Sequence, residues 1–244
     1  TAGIIDISGS SKFKIQGPDA ARFLNLLSCN QLPQADGRLG LSLFHGHNGG
    51  IMTEQSITRI SENHFYLVGP IVSEFRDLQW MTQNARGYDV SIENLTEKLA
   101  AVLVTGPNAR EIIQSLTEED LSNEALPWLS SKSIKLDSTN TQVIRVSYAG
   151  ELGYELHMAR YQILSIFESL FRVGESLGLQ NFGGYAFNSL RMEKGYRAWG
   201  SEFTEEISGL EADMSRFIDL ERDFIGKENL EQRLADGIQM KLAY

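Results

Sequence analysis

Apolar residues recur at helical spacing in two similar segments of the chain. In each segment they occupy positions i, i+3, i+4 and i+7, which line one face of an α-helix. The two sets are Ala20, Phe23, Leu24 and Leu27, and Ala109, Ile112, Ile113 and Leu116. A strand-like run and then a Gly-Pro pair precede each set; the run is residues 12–16 in the first segment and residues 100–105 in the second. Proline suits the first turn of a helix. This repeat predicts two related halves, each with a strand, a Gly-Pro turn and a helix.

Other segments show the composition and alternation of β-strands. They are residues 38–44 and 51–60, residues 65–68, and residues 142–148 and 154–158. The first pair and the last pair are each joined by a glycine-containing turn, which permits the sharp reversal of a hairpin. Helical faces also occur within residues 73–83, 163–170 and 185–194. We therefore predict an α+β fold of two related antiparallel-sheet-plus-helix halves.

The repeat sets the expected domain boundaries. We assign residues 1–95 to the first half, with its Gly-Gly hairpin, and residues 96–236 to the second half. Residues 237–244 follow a polar helix-like stretch and have the pattern of a first strand with no partner after it. The chain also starts without Met and enters a strand-like segment within a few residues. Both ends are therefore candidate fragment boundaries.

Charge and composition exclude several classes of partner. The 244 residues carry 32 Asp and Glu against 22 Lys and Arg, a formal net charge of −10, so we expect no nucleic acid partner. The longest apolar run, residues 99–104, is far shorter than the roughly 20 residues that cross a bilayer, so we expect no membrane partner. The N-terminus lacks the order of a signal peptide, and Cys29 is the single cysteine. These features favour a reducing compartment, the cytoplasm.

Several common catalytic motifs do not occur. The sequence has no Gly-x-Ser-x-Gly nucleophile elbow and no Gly-x-Gly-x-x-Gly dinucleotide fingerprint. His45, His47 and Cys29 are residue types that bind zinc, but two histidines in a glycine-rich loop are more typical of solvated turn residues. We expect no metal site.

Two carboxylates occupy positions that suit chemistry. Alternation in residues 154–158 puts the apolar side chains on one face and Glu155 with His157 on the other. A solvated strand face explains this pattern, but a carboxylate can also accept two parallel hydrogen bonds from a guanidine-like heterocycle, with the Tyr148 ring packed beside it. Glu54 follows the Gly49-Gly50 turn. It is either a residue of an exposed edge strand or a functional group.

Six segments, in this order, carry a family resemblance: residues 15–20, 49–51, 120–127, 147–157, 189–200 and 223–228. The strongest are residues 147–157, which include Tyr148-Ala149-Gly150-Glu151-Leu152-Gly153-Tyr154-Glu155, and residues 189–200, which include Ser189-Leu190-Arg191-Met192-Glu193-Lys194-Gly195. Together they resemble the folate-binding domain of the glycine-cleavage T-protein (aminomethyltransferase) superfamily. Within it, the similarity is closest to the C-terminal part of dimethylglycine and sarcosine dehydrogenases. The resemblance covers essentially the whole chain.

The resemblance implies a tetrahydrofolate-binding enzyme module. Tyr148 and Glu155 would hold the pterin, and Glu54 stands where the family has an aspartate that assists one-carbon transfer. In the dehydrogenases, FAD on a separate upstream domain oxidises an N-methyl amine to an iminium, and folate captures the carbon as 5,10-methylenetetrahydrofolate. The implied partners are the small amine, folate and this FAD domain. A short N-terminal segment and most of a C-terminal β-barrel, which residues 237–244 would begin, are then missing from this chain.

Departures from the family pattern keep alternatives open. Glu54 has one methylene more than aspartate, and Asn188 replaces an aspartate that relatives carry. Arg191 and Glu193 are expected to form structural ion pairs. The alternatives are a free-standing aminomethyltransferase and a non-catalytic regulatory relative; for a mitochondrial relative the compartment would be the matrix. The folate-binding iron–sulfur assembly proteins carry Lys-Gly-Cys where this chain has Tyr196 after Lys-Gly, so we set that class aside.

Overall fold

The computed structural model describes residues 1–243, which form eleven β-strands and six α-helices. The strands are β1 (Ala2–Asp6), β2 (Ser11–Gln16), β3 (Leu39–His45), β4 (Ile51–Ser61), β5 (His64–Gly69), β6 (Ser91–Asn94), β7 (Leu99–Thr105), β8 (Ser130–Leu136), β9 (Thr139–Arg145), β10 (Gly153–Ala159) and β11 (Leu179–Asn181). The helices are α1 (Ala20–Leu27), α2 (Glu74–Asn84), α3 (Ala109–Gln114), α4 (Ile163–Gly174), α5 (Gly184–Glu193) and α6 (Lys227–Asp236).

The chain folds as two compact units that interleave along the sequence. Unit 1 consists of residues 1–9 and 96–196, and unit 2 of residues 10–95 and 197–244. This division differs from the predicted boundaries at both ends of the chain. The difference arises because β1 pairs with β7 rather than with its neighbour β2, and because the segment after residue 196 packs with β3 and β4.

Unit 1 contains a six-stranded sheet in the order β11-β1-β7-β10-β9-β8. β1 and β11 are parallel, and the other neighbours are antiparallel. Alternate residues of β7 and β10, such as Val102 and Leu156, form a core with Ile113 of α3 and Leu170 of α4. Burial of these apolar side chains is the main favourable term that holds the helices on the sheet.

Unit 2 contains a five-stranded antiparallel sheet in the order β3-β4-β5-β2-β6. Leu43 and Phe44 are neighbours in β3, so their side chains point to opposite faces of the sheet. Phe44 packs with Phe23 of α1 and Met81 of α2. Leu43 packs with a second cluster that includes Phe203 from the C-terminal part of the chain. Both faces of this sheet therefore carry apolar contacts.

The repeated Gly-Pro segments form the same turn in both units. Gly17 and Gly106 have φ angles of 147° and 112°, which favour glycine, and their carbonyls accept hydrogen bonds from the N–H groups of Ala20 and Ala109 at 3.0 Å. The predicted helices follow as α1 and α3, although α3 ends before Leu116. The predicted α+β class and the 38–44/51–60 hairpin are confirmed.

Other predictions hold in part. The predicted strand 142–148 is β9, which lies earlier in the chain and ends at Arg145. Residues 240–243 form no strand, since no neighbouring strand pairs with them among the described residues, and Tyr244 lies outside the described part. The start of a C-terminal barrel at residues 237–244 stays a prediction. No helix within residues 1–243 has the length and apolar character to span a membrane.

We expect Leu24→Ala and Ile113→Ala each to lower the free energy of unfolding by roughly 2–5 kcal/mol, because both side chains are fully buried and alanine leaves a cavity. Leu164→Ala and Leu234→Ala are matched controls, since these leucines are 66% and 46% exposed and should cost much less. Urea unfolding measures the free energy of unfolding of the buried-site variants and of the controls. Equal shifts for buried and exposed sites would contradict the assigned cores.

Candidate functional site

Glu155 lies near the middle of the unit 1 sheet, in β10 between β7 and β9. Its neighbours Tyr154 and Leu156 point into the core, so Glu155 and His157 share the opposite face as predicted. His157 Nε2 lies 3.0 Å from Glu155 Oε2 and serves as the donor, because an ionised carboxylate only accepts. The His157 side chain is 1% exposed and that of Glu155 is 16% exposed. A fully solvated strand face is therefore the wrong interpretation.

The second oxygen of Glu155 keeps its acceptor capacity. Within residues 1–243, the hydrogen bond to Glu155 runs from His157 to Oε2, and Oε1 accepts none. A carboxylate can accept about four hydrogen bonds. Glu155 is thus a largely buried anion that is oriented through one oxygen and can accept bonds from a ligand through the other.

Tyr148 is part of an aromatic group formed with α5 and the residues after it. Its ring stacks on Tyr196 with a centroid separation of 6.0 Å and contacts Phe187 edge-on at 5.5 Å. Phe182 contacts Phe187 at 6.0 Å. These rings hold Tyr148 in place and provide an apolar surface for a planar ligand. Sequence reasoning missed Phe187 and Phe182, because the pattern of α5 gave no sign that they would meet Tyr148.

The glycine-rich turn between Tyr148 and β10 is closely packed. Gly150 has a φ of 78°, and a Cβ there would lie 2.7 Å from the Lys194 side chain. A Cβ on Gly153 would lie 2.4 Å from Cβ of Ser147. Larger residues at either position would push Lys194 or Ser147 away. The turn therefore needs glycine to keep Tyr148 and Glu155 on one continuous hairpin.

Arg191 is a buried cation behind the aromatic group. Its Nε donates to Oδ1 of Asn188 at 2.9 Å, and its Nη1 donates to the backbone carbonyl of Tyr196 at 2.9 Å. Oε1 of Glu193 accepts from the Ser189 hydroxyl at 3.4 Å. Asn188, the departure from the family pattern, thus supplies a neutral acceptor that positions Arg191, which in turn fixes the backbone of Tyr196.

Glu54 belongs to unit 2 and lies in β4, between β3 and β5. It is half-buried and in register with Leu43, so the exposed edge-strand interpretation is wrong. Burial raises the pKa of Glu54 to about 8, and the positive charge of Arg197 opposes this shift. No group of the described residues donates a hydrogen bond to its carboxyl. Glu54 is therefore a carboxyl that keeps its proton near neutral pH.

A β-bulge lies two residues before Glu54. Phe44 pairs with Thr53 and His45 pairs with Ile51, so Met52 is an extra residue in β4. Arg76 donates a hydrogen bond to the backbone carbonyl of Met52. Bulges of this kind redirect the following side chains and are frequent next to active sites.

The three residues considered for metal binding have separate environments. His45 is fully buried, so the solvated-turn interpretation is wrong for it; its Nε2 accepts from the Gly209 N–H at 3.3 Å, and burial lowers its pKa to about 4. Cys29 is buried, which raises its pKa to about 12, and it donates to the Phe217 carbonyl at 3.3 Å. His47 is exposed. The described residues contain no group of three potential metal ligands.

Comparison with known proteins decides the family. Residues 1–222 match the model of the GCVT N-terminal domain. The chain belongs to this family. The resemblance to the T-protein superfamily that the motifs indicated is thereby confirmed.

Members of the family with curated names include two kinds of enzyme. Dimethylglycine dehydrogenase, mitochondrial, from Rattus norvegicus is 39% identical over 244 residues, which is 98% of this chain and 28% of that protein. The aminomethyltransferase of Thermoanaerobacter sp. (strain X514) is 33% identical over 243 residues, or 99% of this chain and 66% of that protein. The chain therefore spans only part of the length of these relatives.

A solved structure of the family shows the same fold. Glycine cleavage system aminomethyltransferase T from Bartonella henselae matches with a TM-score of 0.86 at 23% sequence identity. The match covers 97% of this chain and 64% of that one. The arrangement of two sheets with helices is thus the T-protein fold.

The pKa of Glu54 predicts a pH-dependent stability. Between its ordinary pKa of 4.5 and about 8, the folded chain holds a proton that the unfolded chain has released, so the free energy of unfolding falls as the pH rises through this window. Glu54→Gln cannot ionise. We expect the variant to gain stability over the wild type between about pH 5 and about pH 8, by on the order of 2–4 kcal/mol.

Urea titrations at both pH values measure this gain. Glu62→Gln is the matched control, because Glu62 is exposed in the turn after β4 and its replacement should give no pH-dependent difference. If the free energy of unfolding of Glu54→Gln differed from that of the wild type by the same amount at both pH values, the raised pKa of Glu54 would be contradicted.

Proposed function

We propose that the chain binds tetrahydrofolate and transfers a one-carbon unit, as the folate-binding module of an oxidative demethylase of dimethylglycine or sarcosine. The observation that carries this proposal is the state of Glu155: a largely buried carboxylate, oriented by His157, whose Oε1 accepts no hydrogen bond within residues 1–243. The pterin ring offers adjacent N–H donors that match such an acceptor. The 39% identity to a dimethylglycine dehydrogenase supports this choice of substrate class.

The residues of unit 1 fit a pterin. Glu155 would accept its paired donors, and the ring of Tyr148, supported by Tyr196 and Phe187, would pack beside the heterocycle. A charge-assisted pair in a partly desolvated site is stronger than the same pair in water, so it orients the ligand as well as binding it.

Glu54 is the proposed catalytic residue. Bound tetrahydrofolate would supply the nitrogen that accepts the one-carbon unit. A carboxyl with a pKa near 8 can give or take a proton at neutral pH, and when ionised it stabilises a cationic one-carbon donor. The positive charge of Arg197 favours the ionised form of Glu54. Both protonation states of Glu54 can therefore form near neutral pH.

The proposed partners follow from the dehydrogenase relatives. They are the methylated amine and an FAD-containing domain or subunit. The rat relative is named as a mitochondrial protein, so we propose the mitochondrial matrix rather than the cytoplasm. A free-standing aminomethyltransferase is the alternative that the 33% identical relative represents.

Glu155→Gln should weaken tetrahydrofolate binding at least tenfold, because the amide replaces one acceptor oxygen by a donor and the loss of a charged partner costs about 2–5 kcal/mol. Calorimetric titration of the full-length protein measures the affinity. Glu168→Gln, on the exposed side of α4, removes the same charge away from the site and should bind like the wild type. Unchanged affinity in a folded Glu155→Gln variant would exclude Glu155 from the folate site.

Glu54→Gln should slow formation of methylenetetrahydrofolate by about a hundredfold or more, while folate affinity changes only a few fold. Turnover of dimethylglycine or sarcosine by the full-length protein gives the rate. Glu54→Asp restores the side chain usual in the family without changing the charge. A site adapted to glutamate should lose rate with aspartate, because a shift of about 1 Å can cost roughly a hundredfold.

A regulatory protein without catalysis would give a different result. It would bind folate through Glu155 but show no turnover that depends on Glu54. Normal turnover in both Glu54 variants would likewise refute the catalytic role.

A further inference from the structure

A buried hydrogen-bond cluster joins α2 to β4. Oδ2 of Asp77 accepts hydrogen bonds from Thr53 Oγ1 at 2.7 Å, Ser73 Oγ at 2.8 Å and Gln55 Nε2 at 3.1 Å. All four side chains are buried. Burial raises the pKa of Asp77 to about 6, and the bonds from Thr53 and Ser73 oppose this shift. Three donors on one buried oxygen fix its surroundings strongly, because each would lose a partner if the cluster opened.

Two of the three donors are the residues on either side of Glu54. Thr53 and Gln55 point toward α2, so alternation along β4 directs Glu54 to the opposite face of the sheet. The carboxyl of Glu54 accepts no hydrogen bond from the described residues. Its direction therefore depends on the backbone of β4 that carries it.

Arg76, the residue before Asp77 in α2, holds the same strand by its backbone. Its Nη2 donates to the carbonyl of Met52, the extra residue of the bulge. Its Nη1 donates to Glu205 Oε1 at 2.7 Å, and its guanidinium lies 4.1 Å from the centre of the Trp199 ring. These contacts leave the guanidinium little freedom to release the bulge.

We propose that Arg76 and Asp77 position the carboxyl of Glu54 for one-carbon transfer by fixing β4 at Met52, Thr53 and Gln55. We call these contacts the α2 clamp. The proposal rests on the catalytic role proposed for Glu54. Asp77 and Arg76 are positioning residues, since they act through the strand: their hydrogen bonds to β4 involve Met52, Thr53 and Gln55 and not Glu54. Because rate depends steeply on the placement of a reacting group, a looser strand should slow the reaction without weakening folate binding.

Three matched substitutions separate positioning from stability. Thr53→Val keeps the shape of the side chain but removes the shorter of the two hydrogen bonds from β4 to Asp77, that from Thr53 Oγ1. Ser73→Ala removes a bond to the same oxygen of Asp77 from the residue just before α2, so it leaves the links to β4 in place. Thr53→Ser restores a hydroxyl on β4. In the full-length protein, we expect Thr53→Val to lower kcat at least tenfold with folate affinity within about twofold, and Ser73→Ala and Thr53→Ser to keep kcat within about threefold.

A second measurement does not depend on turnover. Carbon-13 NMR can follow the titration of the Glu54 carboxyl and give its pKa. The signal is assigned by its absence in Glu54→Gln. Thr53→Val should lower its pKa by about one unit or more, because a looser strand admits water to the carboxyl, while Ser73→Ala should leave the pKa unchanged.

The outcomes distinguish the two proposals. If Glu54→Gln slows turnover but Thr53→Val does not, the positioning role of the clamp is overturned and the catalytic role of Glu54 stands. If Thr53→Val and Ser73→Ala slow turnover equally, the cluster is only structural, which also overturns the proposal. If Glu54→Gln does not slow turnover, the proposed catalytic role fails first.

Discussion

Side chains alternate between the two faces of a β-strand, and in this chain that alternation decides which chemical groups can meet a ligand. In β10 it separates Glu155 from the core residues Tyr154 and Leu156, although the three are consecutive. In β4 it places Glu54 opposite Thr53 and Gln55. A shift of one residue in either strand would turn its carboxyl toward the helices that pack on the sheet and reverse the faces of its neighbours. The packing of helices on the sheets thus fixes the chemistry as well as the fold.

Two carboxyls of unit 2 show how hydrogen-bonding and charged partners tune acidity. Asp77 accepts hydrogen bonds from Thr53 and Ser73 and lies beside the positive charge of Arg76, and these partners limit the rise of its pKa on burial to about 6. Glu54 has no such donors among the described residues, and only the charge of Arg197 opposes burial, so its pKa reaches about 8. Hydrogen bonds to the charged form therefore distinguish a structural anion from a carboxyl that can exchange a proton.

Local features of the fold could be predicted from the sequence, and non-local ones could not. The Gly-Pro turns and the apolar stripes of α1 and α3 depend on residues within one segment, so their pattern is visible in the sequence. The position of β4 inside its sheet depends on β3 and β5, and the burial of His45 depends on Gly209 and Phe224, far along the chain. Motifs predict Glu54, Tyr148 and Glu155 as site residues, but the rings that support Tyr148 and the hydrogen bonds that hold β4 are set by tertiary packing that no local pattern encodes.

The interleaving of the two units has a consequence for synthesis on the ribosome. Residues 1–9 are made before residues 10–95 but belong to a unit whose other residues begin at Thr96, so β1 can pair only after β7 has been made. Residues 10–95 can form their sheet early, yet the cluster around Phe203 and Phe224 can cover one face only after the residues from Arg197 onward have been made. During translation, unit 2 therefore carries an apolar face without its cover for most of the time that unit 1 is being made. Such a nascent chain is a natural substrate for chaperones that shield apolar surface until synthesis is complete.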